Sequence, residues 1–186
     1  MPVPIQMIHI HYREKRLSLL DSDDITPLYT VKVCRHTPQM QLVRLPQDSN
    51  PNVGGDTGNS TGICTAAFEK LSMDVALSIH DQPVTLRRLD IFSRTYAFES
   101  IALAGTVLHW EADGALTGDF KLVNQHNSQV LARFHNKVFS VTEVGSFEMV
   151  GRLSERLKEE IVISGLAVLV MVQSLNLASM VLMGNP

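Results

Sequence analysis

The run from Ile161 to Met183, IVISGLAVLVMVQSLNLASMVLM, decides how the rest of the chain must fold. Seventeen of its 23 residues are apolar and none is charged. Ser154 stands before it as an N-cap, with Glu155 in the first turn, where a helix dipole favours an acid. Leu153, Leu157 and Ile161 follow one another at intervals of four, and Gly184 with Pro186 behind it marks a stop. The pattern predicts one helix over 154–183, roughly 45 Å long at ~1.5 Å per residue.

Two environments can hold such a helix. A membrane is one: the length meets the span rule, and Arg152, Arg156 and Lys158 would flank a tail anchor. Protein on every side is the other. Gln173, Ser174, Asn176 and Ser179 would be costly in lipid, and no Trp or Tyr marks an interface. The reading taken is therefore a helix enclosed by the rest of the chain, and what precedes it must supply the enclosure.

Working outward, the 16 Lys and Arg and 19 Asp and Glu all fall in the first 160 residues, which makes that part an ordinary globular sequence of about 22% charge. The net charge of -3 disfavours a nucleic-acid partner held by bulk charge. Short apolar runs recur there at intervals of 10 to 15 residues with turn signals between them. Tyr29, Val31 and Val33 share one face, and so do Val75, Leu77 and Ile79, while Trp110, Phe120, Leu122, Ala132 and Phe134 are assigned to inward faces. His109, Asp119, Lys121, Arg133 and His135 alternate with them and should form cross-strand ion pairs outside. Asp81-Gln82-Pro83 and Asp113-Gly114 read as turns, the second as a hairpin signal. The polar, Gly/Asn-rich segment 47–62 reads as a flexible loop. About twelve strands result, without a βαβ rhythm, and a barrel of that size is too wide for its own side chains to fill. The expected fold is mainly β: a single domain over 1–186, an antiparallel barrel of about 12 strands closed around the C-terminal helix.

The segment Trp110 to Phe134, WEADGALTGDFKLVNQHNSQVLARF, with the apolar helix after it, resembles the LURP-one-related proteins of the tubby C-terminal-like superfamily, which also holds the phospholipid scramblases. Pro27-Leu28-Tyr29-Thr30-Val31 is similar to the start of small fungal tubby-like proteins. The resemblance implies a barrel around a central helix, and binding more than catalysis. Phosphoinositide-binding residues cannot be carried over, since no stretch matches that motif. The scramblase cysteine cluster and acidic calcium segment are missing as well.

Motifs for chemistry are sparse. Gly58-Asn59-Ser60-Thr61-Gly62 spells a nucleophile elbow but lacks the strand before and helix after. His9, His11 and Glu14 hint at a metal set, but an edge strand with a polar face explains them better, and no metal or cofactor is expected. Met1 to Arg16 does not read as a secretory leader, so Cys34 and Cys64 are expected as buried free thiols in the cytoplasm. Arg87, Arg88 and Arg94 form the densest basic group and are the candidate ligand-binding residues, suited to an anionic headgroup at a barrel rim. The leading expectation is a non-catalytic binding module for a lipid headgroup, a small apolar molecule or a protein partner, in the cytoplasm or at a membrane surface. The alternative is a cofactor-free isomerase or cyclase acting on a small apolar molecule, with Arg94, Tyr96, His109 and Glu111 as catalytic candidates. Neither reading sets an oligomeric state.

Overall fold

The computed structural model describes residues 3–13, 16–46, 63–69, 73–90, 94–114, 118–137, 140 and 143–172. Twelve strands run in chain order: β1 (Ile5–Arg13), β2 (Arg16–Leu20), β3 (Pro27–Val33), β4 (Met40–Arg44), β5 (Cys64–Phe68), β6 (Val75–Ile79), β7 (Gln82–Arg88), β8 (Tyr96–Ser100), β9 (Thr106–Ala112), β10 (Phe120–Asn124), β11 (Val130–Asn136) and β12 (Glu143–Val150). Each pairs antiparallel with its neighbour in sequence, and β1 pairs with β12 to close the barrel. β1 is thus no edge strand: the expected polar edge is instead a paired strand whose His9 meets Glu143 at 3.3 Å and whose His11 meets Asp24 at 2.8 Å.

Alternation sorts the walls as the sequence indicates. Trp110, Phe120, Leu122, Ala132 and Phe134 are buried, while His109, Lys121, Arg133 and His135 lie half-buried on the outside. The outer rows pair across strands: Lys121 with Glu111 at 3.7 Å, Arg133 with Glu148 at 3.4 Å, His135 with Glu148 at 3.0 Å. Two turns differ from expectation. His80 and Asp81, both at positive φ, make the β6–β7 hairpin, so Gln82 and Pro83 belong to the strand. Asp113-Gly114 opens a longer connection, because Ala112 pairs with Phe120. The glycine-rich segment 47–62, with its nucleophile-elbow match, lies outside the described residues, and so does Glu14.

The helix α1 (Glu155–Val172) starts on the predicted cap, where Ser154 Oγ accepts the Leu157 N–H at 3.3 Å. Every residue from Glu159 to Val170 is buried, so no side of that stretch faces water. Its side chains meet β3, β4, β8 and β9 around the circumference, which places it inside the closed wall. Trp110 Nε1 donates to Ser164 Oγ at 3.0 Å, satisfying an indole that would otherwise be buried unpaired. A Cβ on Gly165 would stand 2.6 Å from Phe147 and 2.9 Å from Trp110, so glycine is what lets the helix pass those rings. No helix among the described residues is long and apolar enough to cross a membrane. The rest of the predicted helix, 173–183, is outside the described residues.

Candidate functional site

Strand direction alternates around the barrel, so its two mouths collect different loops. α1 begins where β12 ends, which places its first turns at the mouth shared by the ends of β4, β6 and β8. This lower mouth holds a cluster of polar groups inside the wall. Glu159 is 1% exposed and Glu160 0% exposed. Glu159 pairs with Arg44 of β4 and accepts from His80 of the β6–β7 turn at 2.7 Å. Glu160 accepts from Ser100 Oγ at 2.5 Å and from the Ala102 N–H at 2.7 Å. Nearby, Glu155 joins three donors: Lys158 at 2.7 Å, the Tyr29 hydroxyl at 3.4 Å and Arg44 at 3.6 Å. A concavity of about 310 Å³ opens there, lined by Gln6, Tyr29, Arg44 and Lys158 among others.

The electrostatics follow from burial. Loss of water pushes Glu160 above the ordinary carboxyl value, although its bonds to Ser100 and Ala102 oppose the shift. Burial, with the Glu155 and Glu159 charges adding to it, raises the Tyr29 hydroxyl. Cys64 at the foot of β5 is pushed up to about 12 by burial and then by Glu159, so it is a protonated, inert thiol. Cys34, expected buried, is exposed.

The second feature is a break in the wall. β7 and β8 share only two paired positions, Arg87 with Ala97 and Arg88 with Tyr96. The next positions in that register, Leu86 with Phe98 and then Thr85 with Glu99, are not paired. An outward cleft of about 500 Å³ occupies the gap and reaches the inward-facing Val84 and Phe98, with Arg87, Glu99, Ile101 and Val107 on its flanks.

The third is the upper rim, where β7 ends and β8 begins. Arg87 and Arg94 are exposed there, and Arg88 is half-buried with Nη1 3.7 Å from Met73 Sδ. Neither Arg87 nor Arg94 has an ion-pair partner among the described residues. Leu89 and Met73 beside them are 52% and 54% exposed.

The proposed catalytic set is not one site. Tyr96 points into the barrel opposite Trp110, while His109 and Glu111 point outward, and Arg94 stands exposed before the strand begins. Burial raises the Tyr96 hydroxyl, which keeps it protonated. The lower-mouth residues Tyr29, Arg44, His80, Glu159 and Glu160 were not picked out from sequence. The one local signal was two adjacent acids, Glu159-Glu160, running straight into an apolar helix that buries all its faces.

A solved X-ray structure of the Arabidopsis thaliana protein AT5G01750 is similar to this barrel, with a TM-score of 0.55 at 11% identity, covering 86% of this chain and 88% of that one. At that identity the likeness shows the fold alone. No family model matches the sequence, and no curated protein matches it.

Proposed function

We propose that the protein is a non-catalytic binding module that takes an anionic lipid headgroup at its upper rim. One observation carries this reading: Arg87 and Arg94 are exposed and unpaired among the described residues, beside the exposed apolar side chains of Leu89 and Met73. Asp90 is the acid on the same turn, so three arginines still leave the group positive. Cations next to apolar tips suit a surface with charged headgroups over hydrocarbon. The closed barrel around one helix supports the tubby-like architecture suggested by the Trp110–Phe134 segment. A place in the cytoplasm, at the surface of a membrane, goes with this reading.

An isomerase or cyclase has less support. Trp110 and Phe147 fill the barrel around Gly165, leaving an apolar substrate no room at that level.

Vesicle flotation of the full chain tests the proposal. We expect co-flotation with phosphatidylserine-containing vesicles at low salt, not with phosphatidylcholine alone. Salt of about 1 M should abolish it, since screening is then complete within ~3 Å. The triple variant Arg87→Ala/Arg88→Ala/Arg94→Ala should stay in the bottom fraction. Flotation by that variant, or none by the native chain, overturns the reading.

A further inference from the structure

We propose that the cleft between β7 and β8 is a docking site for an extended segment of a partner protein, which completes the broken ladder with its own main chain. The argument starts from Pro83. Ile79 and Gln82 flank the two-residue turn at His80 and Asp81, so they form the hydrogen-bonded pair that closes the hairpin. Main-chain direction alternates along a strand. Gln82, Val84 and Leu86 therefore bond to β6, and Pro83, Thr85 and Arg87 turn their main chain towards β8. The bond from Leu89 N–H to Thr95 C=O at 3.0 Å has the parity this requires. On the opposite strand the Gly105 N–H bonds to the Ser100 C=O at 2.8 Å, which gives Ser100 and Phe98 to β9 and leaves Ala97 and Glu99 facing β7.

The ladder forms at Arg87 and Ala97 and then stops. Pro83 has no N–H, so the β7 edge loses a donor there. The far end of β8 is tied inward, because Glu160 of the helix holds Ser100 Oγ and the Ala102 N–H. What remains is a pair of facing strand edges, with the main chains of Thr85 and Glu99 turned towards each other across a cleft and not paired there. Unpaired main-chain groups at an edge are the complement of an extended peptide, and not of an apolar ligand.

The flanks add selectivity. The cleft reaches Val84 and Phe98 through the gap in the wall, a place for one apolar side chain of the incoming segment. Arg87 and Glu99 stand on its two sides without an ion-pair partner among the described residues, so a segment carrying an acid and a base around that apolar residue matches both charges. Because β7 and β8 are antiparallel, the inserted strand runs parallel to one and antiparallel to the other. The proposal does not rest on the lipid reading, although Arg87 and Leu89 line the cleft as well as the upper rim; it stands on the broken ladder at Thr85 and Glu99.

Two experiments on the full chain decide it. Amide hydrogen exchange of the free protein should show Thr85 and Glu99 exchanging fast while Val84 and Leu86 stay protected. Protection of Thr85 and Glu99 in the free chain overturns the proposal. Panning a phage library of random short peptides should enrich sequences with an apolar residue between an acid and a base. A recovered peptide, resynthesised, should protect the Thr85 and Glu99 amides. N-methylation of a docked peptide amide should weaken binding by about tenfold at either parity, since alternate amides face β7 and β8, the worth of roughly one lost hydrogen bond. Thr85→Pro, which removes the N–H facing the cleft, should weaken it similarly and leave vesicle flotation intact. No enrichment, or a peptide that binds without protecting these amides, overturns the proposal even if Thr85→Pro fails to fold.

Discussion

The two mouths of the barrel use charge in opposite ways. At the lower mouth Glu159 and Glu160 are inside the wall and each is held by two groups from other elements. At the upper mouth Arg87 and Arg94 are outside and have no ion-pair partner among the described residues. A buried carboxylate must be satisfied where it stands, so its partners are committed to the fold. An exposed guanidinium costs the fold nothing and stays available to a ligand. Perturbed titration marks the lower mouth for a reason of folding: Tyr29, Cys64 and Glu160 are shifted mainly because they are buried.

The contrast can be broken most directly at Arg44. Arg44→Ala leaves Glu159 buried with His80 alone. We expect a loss of about 2 kcal/mol in chemical denaturation, less than the ~3–5 kcal/mol of a fully buried pair because about half of Arg44 is already in water. Next, between the mouths, Gly165→Ala pushes a methyl against Phe147 and Trp110 and should cost about 1–3 kcal/mol by overpacking. Equal stability in that variant would mean the helix can shift past the rings.

Glu160 sharpens the comparison through pH. Its folded value lies above the ordinary 4.5, so protonation favours the folded state. That contribution is fully present below the unfolded value and is lost as pH rises from about 4.5 through the raised folded value. Glu160→Gln does not titrate, so its stability relative to the native chain should improve across that window. A difference that stays flat with pH would remove the role of desolvation. The smallest effect belongs to the upper rim: Arg87→Ala should change stability by under about 0.5 kcal/mol, as solvated surface positions do. A larger loss would show that this rim is also committed to the fold.

Much of the wall was legible. The alternation around Trp110, Phe120 and Ala132 identifies the inner face, because a strand exposes its two faces with a period of two regardless of partner. Ser154 marks the helix start because a cap is a local hydrogen bond. The hairpin at Asp113-Gly114 was misplaced, since a turn signal does not reveal where the ladder resumes; Phe120, opposite Ala112, determines that. The catalytic grouping failed for a related reason. Tyr96 and His109 lie on adjacent strands, but the register sets Ala97 against His109, so they end on opposite sides of the wall.

By itself, then, the sequence determined a mostly apolar helix, a strand-rich remainder and the inward face of β9, β10 and β11, all consequences of short-range periodicity and the cost of leaving apolar surface in water. Only the tertiary structure decided that Glu159 meets Arg44 and His80, that Glu160 draws on Ser100 and Ala102, and that the wall is open between Thr85 and Glu99. Those contacts join positions far apart in the chain. They depend on barrel closure and strand register, which no local pattern of residues encodes.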